Sequence, residues 1–399
     1  MEQNILFNFA GYKKLSSNQA VLGRINYNFN SRYHVDYALE REPYADDPAL
    51  LTDTTSGNFF TDGPSVEVLY NIQPFSRLGL GAGVLYQIST GLKKQYTRSR
   101  TIHRNFEATV AMTYKIRHNL FAGAFLHASF LQDQIELTKS WDEKAIFTLR
   151  YRSELVYRGV VDEFDRYINQ DGLHYNAALQ YDAFDNRFQN ILSFDYFDNK
   201  QEVSDESGTR RYMELYWYQN IARISYYGRY ILGAWVLGGS FSYMDFEDWS
   251  EHPSLPILIT ERTRSVLEAG LGISRRLGQF LVALEGGYRD SEIDYTDYQS
   301  LLKRSGTQNN VIGKVGLEWN LDPIHQLRLG YNYDNFRPDY LSPRYLPENK
   351  AHYMSFGLAE NRLQYEIELH FDYAFREAAD SPSNYNGWNF LIFTRIYMF

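Results

Sequence analysis

Four ionisable side chains stand at every second position near the end of the chain: Glu366, Glu368, His370 and Asp372. In an extended strand, alternate residues share one face and lie roughly 7 Å apart. Adjacent members of this row could therefore share a divalent cation with oxygen ligands from neighbouring strands. The alternative is that the row forms part of a hydrated wall and sets a preference for cations. The nine histidines of the chain show no metal-ligand spacing, and we predict no resident metal and no cofactor.

Charges of opposite sign recur on one face of other segments. Glu285 and Arg289 stand four positions apart, and so do Lys314 and Glu318. This even spacing puts both members of a pair on the same side of a strand. Such residues either form acidic and basic walls that orient a polar solute or cross-link a single wall. The predicted water-facing residues are Glu107, Lys115, Glu285, Arg289, Lys314, Glu318, Arg328, Glu366, Glu368, His370 and Asp372.

One short segment has the residue types for hydrolysis. His127-Ala128-Ser129 places a base and a nucleophile two positions apart, with Asp133 or Glu136 as a third member. A serine nucleophile needs a base within hydrogen-bond reach and a group that orients this base. The segment resembles the His-x-Ser of the lipid A deacylase barrels, which are much smaller proteins. Hydrolysis is therefore the least favoured of three functions, and we predict that the chain is not an enzyme.

The elements that position these residues are predicted from a two-residue alternation that covers almost the whole chain. In 104–116, Val110 and Met112 share one face of the segment, and Glu107 and Lys115 share the other. Each such segment has one face fit for lipid and one fit for water. Because backbone groups in lipid must all be paired, strands can cross a bilayer only as a closed sheet. The pattern predicts an all-β fold: a transmembrane, antiparallel, up-and-down β-barrel.

The connections between these segments alternate between short and long. This asymmetry is typical of outer-membrane barrels, with short periplasmic turns and long extracellular loops. With an extra reversal near Arg152-Ser153-Glu154, the count is about 20 strands, and the alternative is 18. A set of soluble β-sandwiches would need linkers, and the sequence has none, so we predict a single barrel domain over 1–399. Short connections are predicted near 73–77, 117–119, 184–188, 226–230, 275–278, 321–325 and 360–363, and long ones near 42–62, 90–101, 201–210, 247–261, 293–307, 337–350 and 376–386.

Composition limits the classes of function. Aromatic residues make up 17% of the 399 residues, which suits a barrel with two interfacial girdles. The net charge of −9 argues against nucleic acid as a partner, and the absence of cysteine excludes disulfides and thiolate metal sites. The start, Met1-Glu2-Gln3-Asn4-Ile5, has neither a basic nor an apolar signal region. We expect a mature form, or a barrel cut from a longer precursor.

The end of the chain carries the one recognisable signal. Tyr397 and the terminal Phe399 resemble the C-terminal assembly signal of bacterial outer-membrane β-barrel proteins. The match is partial, because Thr394 stands where that pattern commonly has glycine and Ile392 where it has a polar residue. The resemblance reaches the porin-like superfamily and no named family. It implies location in the bacterial outer membrane, contact with its lipid and lipopolysaccharide, and insertion by the barrel-assembly machinery.

Three functions follow from this prediction. The first is diffusion or export of a polar solute or polymer through a charged, water-filled lumen, since wide barrels admit water. Segments 42–62 and 337–350 are the candidates for folding inward as a constriction. The second is a non-conducting barrel that anchors a larger envelope complex of secretion or uptake, with envelope proteins as partners. The third is the outer-membrane hydrolase. The length leaves no room for a folded plug domain.

Overall fold

The computed structural model describes most of the chain, and everything below concerns this part. The described residues are 2–35, 39, 48–52, 55–95, 98–138, 146–152, 155–161, 163–183, 187–336, 349–361, 365–378 and 385–396. Among them, no helix is long and apolar enough to cross a membrane.

The described part is built from β-strands, as the alternation predicted. The strands are β1 (Glu2–Ser16), β2 (Gln19–Val35), β3 (Leu51–Thr52), β4 (Gly57–Phe75), β5 (Leu78–Lys93), β6 (Ser99–Arg117), β7 (Leu120–Thr138), β8 (Ile146–Arg152), β9 (Leu155–Val161), β10 (Glu163–Ala183), β11 (Phe188–Ser207), β12 (Arg210–Leu232), β13 (Trp235–Glu251), β14 (Leu258–Leu277), β15 (Phe280–Asp297), β16 (Leu302–Asn320), β17 (His325–Phe336), β18 (Asn349–Asn361), β19 (Tyr365–Ala378) and β20 (Tyr385–Ile396).

Seventeen of these strands form one sheet in which neighbours along the chain are neighbours in space. Consecutive strands pair antiparallel, which gives the predicted up-and-down order. The first and last strands also pair, and they run parallel, from Gln3↔Trp388 to Ala10↔Arg395. An odd number of alternating strands requires one parallel pair where the two ends meet. The pairings therefore lead from β1 through β20 and back to β1.

The remaining three strands form a second, small sheet in the order β3-β8-β9. The predicted reversal near residues 152–154 is present, because Arg152 pairs with Leu155 across it. It does not add strands to the large sheet, since β7 pairs directly with β10 along most of its length, as in Phe130↔Asp171. The described large sheet thus has 17 strands where we predicted 20 or 18. Alternation identifies a strand but does not reveal its partner.

Several predicted connections are strand in the structure. The turn predicted at 226–230 is wrong, because β12 runs through these residues and the chain reverses at Gly233 and Ala234. Most of the long loop predicted at 201–210 belongs to β11 and β12, which pair as far as Ser207↔Arg210. Gly208 makes this tight reversal with a φ of 62°, a conformation that favours glycine. These strands continue to pair through a segment in which most residues are polar, so polarity alone did not mark a loop.

The large sheet has two chemically distinct faces. On β10, Leu173, Tyr175 and Leu179 are exposed on one face, and exposed apolar side chains recur at alternate positions of the other strands. An apolar surface of this extent is costly in water and typical of a barrel in lipid. The opposite face carries His174, Asn176 and the other alternate residues, and we call it the polar face.

Candidate functional site

Predicted charged residues lie next to each other on the polar face, where the register joins them as ion pairs. Lys314 Nζ lies 3.5 Å from Glu285 Oε2, and these residues are direct partners across β15 and β16. Arg328 Nε lies 3.3 Å from Glu318 Oε2 across β16 and β17. Cross-strand pairing, which the sequence did not reveal, thus decides which charges meet.

Three further charged residues of the prediction have partners that were not foreseen. Arg289 pairs with Glu268, its register partner on β14. Glu107 Oε2 lies 3.7 Å from His127 Nε2. The ammonium of Lys115 lies 5.7 Å from the centre of the Phe121 ring, within the range of a cation–π contact. Each charge therefore has a compensating group close by.

The remaining predicted residues lie at the C-terminal end. Glu366, Glu368, His370 and Asp372 are alternate residues of strand β19, opposite Asn361, Ala359, Gly357 and Ser355 of β18. Their side chains lie outside the described part, as do Tyr397 and Phe399 entirely. Among the described side chains, no three or more His, Asp or Glu groups are placed to hold a metal ion.

The residues considered for hydrolysis are not assembled into a triad. His127 Nδ1 lies 2.8 Å from Thr109 Oγ1, and Asp133 pairs with His103 at 2.6 Å. Within the described residues, no hydrogen bond joins His127 to Ser129, its strand neighbour two positions on. The contacts that would activate a serine nucleophile are thus occupied by other partners.

A second histidine, which the sequence analysis missed, is more tightly held. His174 Nε2 lies 2.9 Å from Asp195 Oδ1, and the same oxygen accepts a hydrogen bond from Asn176 Nδ2 at 2.8 Å. The Phe197 ring stacks on His174 at 3.7 Å between centroids. Arg223 Nε lies 3.7 Å from the second oxygen of Asp195. These contacts depend on the register between β10, β11 and β12, which the sequence did not reveal.

An apolar cluster covers one end of the polar face. Its central part is the described segment 48–52 of the connection between β2 and β4, which we call the strap. Leu50 and Leu51 of the strap are almost completely buried. The cluster around the strap contains Leu39, Ala49, Leu51, Ile135, Leu137, Phe164, Ile168, Val203, Leu215, Trp217 and Ile259.

A buried ion pair holds the strap in place. Arg166 of β10 donates hydrogen bonds to both carboxylate oxygens of Asp205 on β11, at 2.7 and 3.0 Å. Arg166 also donates to the backbone carbonyl of Ala49 in the strap. Both charged side chains are at most 1% exposed. The strap is further paired to β8 through Leu51↔Arg150. Neither Arg166 nor Asp205 was singled out from the sequence, because a partner almost 40 residues away leaves no local signal.

The strap belongs to a segment predicted to fold inward, 42–62. The structure places the strap against the polar face, while residues 57–62 of the same segment belong to β4. Most of the other candidate, 337–350, lies outside the described residues.

Away from the strap, the polar face contains two adjoining hollows of about 320 and 490 Å³. They share Tyr227, Ser240 and Glu268. Tyr227 falls in the short connection that was predicted near 226–230. It lies within β12, on the same face as Arg223 and Ser225, which also line the smaller hollow.

The fold is similar to that of solved outer-membrane receptors. The siderophore receptor PiuA from Acinetobacter baumannii is 9% identical, with a TM-score of 0.58, covering 94% of this chain and 63% of PiuA. The ferric-catecholate import receptor Fiu from Escherichia coli K12 is 8% identical, with a TM-score of 0.54, covering 93% of this chain and 63% of Fiu. The ferric preacinetobactin receptor BauA from A. baumannii is 8% identical, with a TM-score of 0.53, covering 96% of this chain and 71% of BauA.

The chain thus spans less than two thirds of PiuA and of Fiu. These similarities show the fold, which is that of bacterial outer-membrane β-barrels. The predicted resemblance to these barrels is confirmed at the level of the fold. No curated protein matches the chain. The model of the family described as "Family of unknown function (DUF6850)" matches residues 1–377, and the chain belongs to this family.

Proposed function

We propose that this protein carries a polar solute across the outer membrane through the interior of a single barrel domain. The observation that supports this most is the separation of the two sheet faces. Apolar side chains are exposed on one face, and the other carries ion pairs and two hollows. In a barrel, the apolar face contacts lipid and the polar face lines the interior. The pairing of β1 with β20 supports closure of the sheet into a cylinder of 17 strands.

The strap is the constriction of this passage in our proposal. It covers one end of the polar face and is bound by Arg166, which is itself neutralised by Asp205. Because the strap is part of a connection and not of the wall, its release would widen the passage without breaking the sheet. Outer-membrane lipid and lipopolysaccharide contact the apolar face, and the barrel-assembly machinery inserts the chain.

Conductance in planar lipid bilayers tests the proposal. Purified protein is expected to give stable open steps, and a variant without the strap is expected to give larger ones. A silent wild type together with a conducting strap-deleted variant would assign a closed resting state to the same passage. If both proteins remain silent although folded, the passage is refuted.

The second candidate is a non-conducting barrel that anchors an envelope complex. The burial of the strap favours it, since a permanently covered end would block a pore. This function predicts that the barrel is silent in bilayers and isolates from membranes with fixed protein partners.

A further inference from the structure

The two hollows on the polar face form one continuous recess across strands β11 to β16. Their volumes of about 320 and 490 Å³ fall within the roughly 300–1,000 Å³ that is usual for small-molecule sites. Tyr227 and Glu268 line both hollows, so they stand at the junction.

Tyr227 presents an aromatic ring to this recess. Its side chain is 47% exposed, and within the described residues its hydroxyl makes no hydrogen bond. The preceding residue, Tyr226, points to the apolar face and donates a hydrogen bond to Asn190 Oδ1 at 2.5 Å. An exposed ring on the polar face of a barrel has no lipid to contact. It is available to pack against an apolar surface of a solute.

The floor of the recess beside Tyr227 is formed by backbone. Gly238 pairs with Gly272 across β13 and β14, and Gly270 pairs with Gly287 across β14 and β15. A methyl group added at Gly270 would approach Ser240 Oγ to 2.7 Å, and one at Gly272 would approach Glu285 Cγ to 3.3 Å. The absence of side chains here lets a flat ligand approach the sheet closely.

Around this floor, hydrogen-bond donors and acceptors alternate. Glu268 accepts hydrogen bonds from Ser242 Oγ at 3.2 Å and from Arg289. Glu285 and Lys314 form the neighbouring pair, and both are more than half exposed. Each carboxylate is paired with a cation. A charged ligand would interact with one member of such a pair and leave the charge of the other member uncompensated. The site therefore favours an uncharged ligand whose groups both donate and accept.

We propose that the recess binds an uncharged carbohydrate chain. A sugar ring has an apolar face of C–H groups that fits the Tyr227 ring, and hydroxyls that donate to Glu268 and Glu285 and accept from Arg289 and Lys314. This inference rests on the proposed function, because the ligand reaches the recess through the barrel interior.

Isothermal titration calorimetry on the purified full chain in detergent micelles tests the inference directly. The probes are the neutral oligosaccharides maltohexaose, cellohexaose and xylohexaose, together with a charged oligogalacturonate. The variants are Tyr227→Ala, Tyr227→Phe and Tyr230→Ala. The last is the matched control, because it removes the same side chain from the opposite face of the same strand, at a position that lines neither hollow.

At least one neutral oligosaccharide is expected to bind, and the charged one more weakly. Loss of a stacked ring costs roughly tenfold in affinity, so Tyr227→Ala should weaken binding by about that factor. Tyr227→Phe and Tyr230→Ala should stay within about twofold of wild type, since both keep the ring at position 227. All variants must show heat-modifiable electrophoretic migration, which reports a folded barrel.

Two results would overturn the inference. One is that no neutral probe binds the folded wild type, and the other is that Tyr230→Ala weakens binding as much as Tyr227→Ala does. Bilayer conductance separates this failure from failure of the proposed function. A conducting barrel that binds none of the sugars refutes only the ligand assignment. A folded barrel that is silent both with and without the strap refutes the passage itself.

Discussion

Removing the Arg166 side chain should release the strap. The strap is held by burial of Leu50 and Leu51, worth about 1.5–3 kcal/mol each, and by the hydrogen bond from Arg166 to Ala49, worth about 1.5–3 kcal/mol for a charged donor. Ordering five residues costs roughly 5–10 kcal/mol of backbone entropy. The two sides are of similar size, and the pairing of Leu51 with Arg150 of β8 adds to the bound side. Loss of one contact should therefore shift the strap towards the released state.

Loss of the hydrogen bond to Ala49 in Arg166→Met should therefore raise the ratio of released to bound strap by about 10- to 150-fold. The chain contains no cysteine, so Leu51→Cys provides a single thiol in a position that is fully buried while the strap is bound. The labelling rate of this thiol by a water-soluble maleimide measures release. Arg166→Met in the Leu51→Cys background should be labelled faster, up to the limit set by a fully released strap, and conductance should rise with it.

Two controls make this result interpretable. Arg166→Met alone removes the cation that neutralises the buried Asp205, which costs about 3–5 kcal/mol, so the double variant with Asp205→Asn separates strap release from general destabilisation. Lys200→Met removes a cation from the exposed pair with Glu202, where little stability is expected to be lost. If labelling is unchanged in the folded double variant, or equally increased by Lys200→Met, the role of Arg166 in holding the strap is refuted.

Three other predictions concern different parts of the chain. Leu301 has a φ of 58°, a backbone conformation that costs a residue with a side chain about 1–2 kcal/mol. Leu301→Gly should therefore raise the temperature of thermal unfolding, and a lowered unfolding temperature would contradict backbone strain at this position. Hydrogen bonds, first from His325 and then from the Ile324 amide, lower the pKa of Asp322 from 3.8 to about 2. The folded pKa is depressed, so this turn should keep its stability above pH 3.8 and lose it as the pH falls towards 2. Hydrogen exchange at Ile324 should show that loss in wild type and not in Asp322→Asn. Lys314→Gln leaves Glu285 unpaired and should shift the reversal potential towards cation selectivity, whereas Glu285→Gln should shift it the other way; equal shifts would contradict their placement in the passage.

The fold class was predictable because lipid and water impose a period of two on every spanning strand. Leu173, Tyr175 and Leu179 show this period in the sequence and lie on the exposed apolar face in the structure. The strand count was not predictable, because β8 and β9 alternate like the other strands but pair apart from the large sheet.

The candidate site was predictable as a set of residue types and not as a set of contacts. Even spacing identified Glu285 and Lys314 as water-facing, but their pairing depends on the register between β15 and β16. Arg166 and Asp205 are buried together under the strap, which is distant from both in the sequence. No residue near either of them in the sequence indicates that the strap covers them. Tyr227 fell in the predicted connection 226–230, but β12 runs through these residues, and consecutive strand residues face opposite sides.

Site-directed spin labelling at two adjacent positions tests the central claim that the apolar face contacts the bilayer and the polar face lines the interior. Leu179 and Gln180 lie next to each other on β10, with Leu179 on the apolar face and Gln180 on the polar face. In liposomes, a label at Leu179→Cys should collide with lipid-soluble oxygen, and a label at Gln180→Cys with a water-soluble nickel chelate. Equal accessibility of both labels to the nickel chelate would contradict the account.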